Sequence, residues 1–267
     1  MDLAGTNILV TGASSGIGEA LAPQLAAAGA TVGIVARRAG RLEPVLEQCR
    51  AHTSDSAMWA ADLSDLPAAM RVTDEAREQF GHIDAIVNNA AIGKRKLTQT
   101  LTAEDLDTTM RTNFTSPTLM AMTLLPHMLA RGSGLIVNVS SMGGRLGIAH
   151  EAAYSASKFA MCGWSESARI DLEGTGVKVK LILPGPIATE IWELRPGELP
   201  GMYDGPFVTA ADCAADIVRA IEDPDGFEYY TPELVPGGWA QKDLVVGKTQ
   251  NCDQFLTGMA QMAAPTP

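Results

Sequence analysis

The stretch TNILVTGASSGIGEALAPQLAAA, residues 6–28, decides how this chain is read. It opens with Thr6–Val10, where Ile8, Leu9 and Val10 stand in a row, the composition of a strand buried on both faces. Gly12, Ser14, Ser15, Gly16, Ile17 and Gly18 follow in a glycine-rich turn, and Glu19–Ala28 is helix-forming. Glycines let a backbone turn tightly and approach a pyrophosphate, while a helix N-terminus offers free N–H groups and a positive dipole end. A glycine pattern alone is weak. Placed directly after the first strand and opening a helix, it points to a dinucleotide-binding turn.

The chain beyond it repeats the alternation. Thr31–Val35 is a second strand, and dinucleotide sites often place an acid near its end for the ribose 2′-hydroxyl. No Asp or Glu occurs from Thr31 to Leu42; Arg37 and Arg38 stand there instead. Guanidinium groups suit a 2′-phosphate, so the basic pair favours NADP(H) over NAD(H), with Arg41 a solvated helix residue. Further strands are predicted at Ala57–Ala61, Ile83–Val87, Leu135–Val139, Val177–Leu183 and Phe227–Tyr230. Helices are predicted at Arg41–Ala51, Asp65–Phe80, Thr102–Arg131 (broken at Ser116-Pro117), Glu151–Glu173 and Ala210–Ile221. Asn88 and Asn89 close the fourth strand and either cap a turn or brace the crevice at the strand ends. Asn113, a weak helix former inside a helix, marks a distortion. The alternation gives one α/β domain over residues 1–267, a doubly wound, mostly parallel sheet of seven strands with helices on both faces.

Glu190–Pro206 is rich in Pro and Gly and carries Trp192, Met202 and Tyr203, the composition of a mobile substrate lid. These aromatic and Met side chains point to a bulky apolar substrate, steroid-like or aromatic. The segment 240–267 is a variable tail that helps shape the pocket, and its end, QMAAPTP, is expected to fray.

Composition narrows the function. The net charge of −11 argues against nucleic acid as partner and gives no attraction to anionic membranes. The N-terminus lacks the basic and apolar regions of a signal peptide, and no apolar run is long enough to span a bilayer. Cys49, Cys162, Cys213 and Cys252 are scattered, with the spacing of neither a zinc site nor a disulfide framework, so no metal is expected and a cytoplasmic location is.

The chemistry is expected in Ser140–Lys158, SSMGGRLGIAHEAAYSASK. Tyr154 and Lys158 are one helical turn apart on one face. An ammonium beside a phenol favours the phenolate, which tunes the tyrosine for proton transfer. The hydroxyl of Ser140 or of Ser141 can hydrogen-bond the same oxygen.

Taken together, these residues resemble the short-chain dehydrogenase/reductase family. The resemblance runs from Thr6 to Thr189. It rests on TGxxxGxG at Thr11–Gly18, Asn-Asn-Ala at Asn88–Ala90, Asn113, Ser141 thirteen residues before Tyr154, YxxxK at Tyr154–Lys158, and PGxxxT at Pro184–Thr189. Ala91 departs from the usual glycine. The resemblance implies a Rossmann-type fold, NADP(H) as cofactor, and hydride transfer between it and a carbonyl or secondary alcohol. It makes Ser141 the carbonyl hydrogen-bond donor and Tyr154 the acid or base. Lys158 tunes the tyrosine and holds the nicotinamide ribose, and Asn113 holds a proton-relay water. Gly12, Ser14, Ser15, Gly16, Ile17 and Gly18 line the pyrophosphate and ribose. Asp62 and Leu63 flank the adenine. Asn89, Ala90, Pro184, Gly185, Ile187 and Thr189 complete the cofactor set. It also implies a homotetramer or homodimer, for which Thr118–Leu129 and Cys162–Ile170 are the contact candidates. A nucleotide-sugar epimerase or dehydratase fits the glycine spacing badly. A non-catalytic NADP(H)-sensing protein does not need the tyrosine and lysine.

Overall fold

The structure, a computed structural model, describes residues 1–235 and 239–263. Seven strands form one parallel sheet: β1 (Asn7–Thr11), β2 (Thr31–Ala36), β3 (Ala57–Ala60), β4 (Ala85–Asn88), β5 (Gly134–Val139), β6 (Val177–Pro184) and β7 (Glu228–Thr231). Their order is β3-β2-β1-β4-β5-β6-β7. Side chains of a strand alternate between faces, and here both faces are apolar. Ile8 and Val10 enter the core with α1 (Gly16–Ala27), α2 (Ala39–Arg50) and α7 (Ala210–Glu222). Leu9 enters the opposite core with α3 (Leu66–Phe80) and the helices that follow β4. Strand order reverses between β1 and β4, which opens a crevice at the carboxyl ends of the strands.

The long helical region after β4 differs from its sequence reading. It comprises α4 (Ala103–Met110), one π-helical turn (Arg111–Thr115) and α5 (Ser116–Arg131). The irregularity therefore falls on Asn113 and not at Ser116-Pro117. Pro117 sits at the start of α5, where its missing N–H has no helical partner to lose. After β5 comes α6 (Ala152–Asp171). A buried polar chain ties these layers: Asn88 Nδ2 donates to Asn138 Oδ1 at 2.8 Å, and Asn138 Nδ2 donates to Ser165 Oγ at 2.9 Å.

Lys180 is an unexpected core residue. Its strand reads as alternating, and Lys178 is exposed, but Lys180 is 2% exposed. Its ammonium is satisfied by the carbonyls of Asp223 and Gly226 and by Tyr229 Oη. Cys49, Cys162 and Cys213 are buried free thiols, and Cys252 is an exposed one. The tail folds into α8 (Gln241–Gln250) and α9 (Cys252–Ala263) after a short hairpin of β8 (Leu234–Val235) and β9 (Trp239–Ala240). Of the segment expected to fray, 261–263 is helical, and 264–267 lies outside the described residues.

Candidate active site

The glycine turn is built by close approach. A Cβ on Gly12, whose φ is +72°, would stand 2.8 Å from Ala90 Cα, and one on Gly18 would stand 2.5 Å from the Gly12 carbonyl oxygen. Only glycine fits this crossing of β1, α1 and the β4 end. Asn89 and Ala90 donate their N–H groups to Thr11 Oγ1, and Asn89 Nδ2 donates to the Thr11 carbonyl at 3.0 Å. Asn89 thus braces the turn, whereas Asn88 belongs to the buried chain above. Helix α1 begins at Gly16, earlier than its sequence reading, and Ser15 at its N-cap makes no side-chain cap. The first-turn N–H groups are left facing the crevice, an anion-binding arrangement.

One cleft of about 950 Å³ runs from this turn across the strand ends. Gly12, Ser14, Ser15, Gly16, Ile17, Arg37, Arg38, Asp62, Leu63, Asn89, Ala90, Pro184, Gly185, Ile187 and Thr189 all line it. Gly18 does not; it is a packing residue beneath the turn. Arg38 donates to Ser14 Oγ and to the Ser14 carbonyl at 3.2 Å. Sequence reasoning missed its other partner. Glu190 bridges Arg38 at 2.8 Å and Arg41 at 2.7 Å, so Arg41 is paired, not merely solvated. Burial pushes the Glu190 carboxyl up, but the two guanidiniums hold it below the usual carboxylate range.

At the far end, β5 delivers the two serines in different directions. Ser140 Oγ donates to the Lys158 carbonyl and contacts Cys162 Sγ, a structural role. Ser141 caps the short turn after β5, accepting from Gly143 N at 3.0 Å, and lies beside Tyr154. Tyr154 and Lys158 are both buried on α6, 9% and 2% exposed. The ammonium donates to the Val139 carbonyl at 2.8 Å and lies 5.7 Å from the centre of the tyrosine ring.

The phenolate expected from this pairing is not what this geometry favours. Burial pushes the Tyr154 phenol well above its ordinary value, the Ser141 hydroxyl pulls the other way, and Glu151 adds to the rise. Burial also lowers the Lys158 ammonium to about 8. Desolvation outweighs attraction because the ammonium is aimed at the backbone of β5.

Asn113 does not line the cleft. Its Oδ1 accepts from Ile92 N at 2.8 Å, and its Nδ2 donates to the Ile92 carbonyl at 2.9 Å and to Ser157 Oγ at 3.0 Å. Both amide donors are committed, and the side chain fixes α6 against the β4 loop.

Trp192, Met202 and Tyr203, the residues expected to meet the substrate, also line the cleft. The loop that carries them is more firmly held than its composition suggests. Trp192, Tyr203 and Phe207 stack on one another with centroids 5.1–6.4 Å apart. Arg95, 2% exposed, donates to the carbonyls of Leu199, Ile191 and Glu193 at 2.7–3.0 Å. Leu146, Ile148 and Glu151 close one wall, and Leu244, Phe255, Met259 and Met262 of the tail close another. His150, with φ +66°, turns the chain into Glu151 at the start of α6. Burial lifts the Glu151 carboxyl to about 7, with Arg95 opposing and Glu198 adding to the rise. A lone basic residue in a loop and an acid before a helix gave no pattern by which the sequence could single them out.

These residues fit a nicotinamide dinucleotide: uncapped helix amides and Cβ-free glycines for the pyrophosphate, guanidiniums at the end of β2, and a buried proton donor at the opposite end of one cleft. Among the described residues, no cluster of three His, Cys, Asp or Glu side chains is placed to hold a metal ion, and no helix is long and apolar enough to cross a membrane.

Residues 6–198 match the family described as short chain dehydrogenase. The chain is 31% identical to sepiapterin reductase of Chlorobaculum tepidum over 224 residues, covering 81% of this chain and 90% of that protein. Against two further curated relatives it spans 62% and 64% of their length. In structure it is similar to a metagenomic short-chain oxidoreductase in complex with NADP, with a TM-score of 0.72, 29% identity, and coverage of 86% of this chain and 96% of that one. A short chain dehydrogenase/reductase from Burkholderia phymatum in complex with NAD shares the fold, with a TM-score of 0.80, 24% identity, and coverage of 87% and 91%.

Proposed function

The chain belongs to the short-chain dehydrogenase family, and from that premise we propose that it is an NADP(H)-dependent reductase of ketones or aldehydes, working reversibly on the corresponding alcohols. The observation that carries this reading is the convergence of Ser141, Tyr154 and Lys158 on the same cleft as the glycine turn.

NADPH, when bound, supplies the hydride. Ser141 and Tyr154 hold the substrate oxygen by hydrogen bonds. Tyr154 gives that oxygen its phenolic proton, and the high pKa that burial imposes keeps the phenol protonated near neutral pH, ready to act as acid. Lys158 follows one turn later and steadies the phenolate that results. Asn113 keeps α6 in place through Ile92 and Ser157. The test is Tyr154→Phe. It is expected to lower the carbonyl reduction rate by about 10²–10⁴-fold while NADPH still binds. A variant that reduces carbonyls at the parent rate overturns the mechanism. A parent that binds NADPH but transfers no hydride to any carbonyl favours the non-catalytic sensor.

The basic pair at the end of β2 supports NADP(H). Glu190 favours a second reading, NAD(H), because its carboxylate already pairs with Arg38, as well as with Arg41. The cleft's apolar walls support a bulky, largely apolar substrate. Met122, Leu129, Phe159 and Ile170 are exposed on α5 and α6, which supports a homodimer or homotetramer through these helices. Cys162 is buried and takes no part in such a contact. Light scattering that returns the mass of one 28.1 kDa chain overturns the assembly. Three buried free thiols suit a reducing, cytoplasmic setting.

A further inference from the structure

A carboxyl group is seldom buried without a partner, because desolvation is costly unless a hydrogen bond or a charge answers it. Glu151 is 8% exposed, and among the described residues no hydrogen bond or ion pair engages its carboxyl, whose oxygens are not wholly shut off from the cleft. The nearby cations are committed elsewhere. Arg95 spends its guanidinium on three carbonyls of the substrate loop and lies 3.7 Å from Glu198. Arg195 is directed at the Gly93 carbonyl, 3.5 Å away. Glu151 lines the same cleft as Ser141 and Tyr154, among Ile92, Leu146 and Ile148. It is the N-cap residue of α6, three residues before Tyr154.

We propose that Glu151 forms a polar subsite in an otherwise apolar pocket, which accepts a hydrogen bond from a hydroxyl or amino group on the carbonyl substrate. The proposal rests on the carbonyl-reductase reading and narrows it. The preferred substrate is a mainly apolar ketone or aldehyde whose donor group lies a few bonds from the carbonyl. With the carbonyl oxygen on Ser141 and Tyr154 and the donor on Glu151, the substrate is held at two points, which fixes the face it presents.

The experiment uses the whole chain with NADPH and three isosteric aryl ketones, bearing an α-hydroxyl, an α-amino group or an α-methyl group. The parent is expected to prefer the hydroxyl and amino ketones over the methyl one by about 10–100-fold in kcat/KM, the range for hydrogen bonds to a charged group. Glu151→Leu is expected to bring both ratios close to one. Glu151→Gln, nearly the same size and still an acceptor, is expected to keep most of the hydroxyl preference and lose the amino preference, measured at about pH 8, above the carboxyl's value of about 7. Because each readout is a ratio within one preparation, partly misfolded protein cancels. Should Glu151→Leu not fold, the split between the two preferences in Glu151→Gln decides. Equal rates on all three ketones in the parent, or ratios unchanged in both variants, overturn the subsite and leave the reductase reading standing. A parent that reduces none of the three removes that reading and the subsite with it.

Discussion

Lys158 is held where a lysine costs the fold stability. Its ammonium is desolvated, and one carbonyl, Val139, answers it at 2.8 Å. Unfolded, the group keeps its proton up to about 10.5; folded, only up to about 8. Between those values the unfolded chain binds more protons, so stability rises as pH climbs through that window, and below about 8 the full cost of a buried ammonium is present. That cost is about 3 kcal/mol at most, less whatever the Val139 hydrogen bond returns. Lys158→Met is therefore expected to melt a few degrees higher than the parent at pH 7 while losing most of its reductase activity, and its thermal advantage is expected to shrink toward pH 10.5. Thermal melts at the two pH values check this. A variant that melts lower at pH 7 shows that the Val139 bond outweighs desolvation. Tyr154 beside it tells the same story: the groups proposed to carry out the chemistry sit in a place a purely structural residue would avoid.

The loop after β6 joins the substrate end to the cofactor end through Glu190. Its carboxylate pairs with Arg41 and with Arg38, one of the two arginines suited to a 2′-phosphate, so a phosphate placed there has to compete with it. These pairs are partly exposed, 43% and 56% on the arginine side, and each contributes only about 0.2–1 kcal/mol. Glu190→Gln is thus expected to tighten NADPH binding about 2–5-fold at low salt, to leave NADH binding nearly unchanged, and to lose its effect as salt screens the pair. Fluorescence titration with both cofactors checks it, and weaker NADPH binding by the variant would show that Glu190 orders the arginines for the phosphate. The same loop shows what a sequence can and cannot reveal. The parallel strands were legible because Ile8–Val10 and Ile136–Val137 are apolar on both faces, and the Gly12–Gly18 turn because its position between strand and helix is local. The π turn was half legible, since Asn113 betrayed a distortion but Pro117 drew it to the wrong place. Glu190 on Arg38, Arg95 under the substrate loop, and Lys180 against Tyr229 were not legible. Each depends on a partner far along the chain, and a single charged residue carries no period.

On the scale of the whole molecule, the sheet supplies the cofactor crevice, and the segment between β5 and α6, the loop after β6 and the tail enclose the proposed substrate end. The tail is fastened at its root. Gln241 is fully buried, with Nε2 donating to the Pro232 carbonyl at 2.6 Å, and a Cβ on Gly185 would stand 2.8 Å from its amide. Lys248 Nζ donates to the Arg145 carbonyl and lies 4.8 Å from the Phe159 ring centre. Beyond that point α9 presents Phe255, Met259 and Met262 to the cleft, while its other side is exposed. An apolar wall that covers ~50–100 Å² of substrate is worth about 1–3 kcal/mol of binding. Ending the chain after Asn251 is therefore expected to raise KM for bulky aryl ketones by about ten-fold or more, because binding is lost and the proton donor is untouched. For a carbonyl compound of three carbons, too small to reach α9, KM is expected to stay within a factor of about two. NADPH affinity is expected to hold, since the glycine turn and the arginines lie at the opposite end of the cleft. Steady-state kinetics on both substrates, with a cofactor titration alongside, separate the cases. If KM rises alike for small and large carbonyls, or if NADPH binding falls with it, α9 supports the whole cleft and is not a wall for the substrate alone.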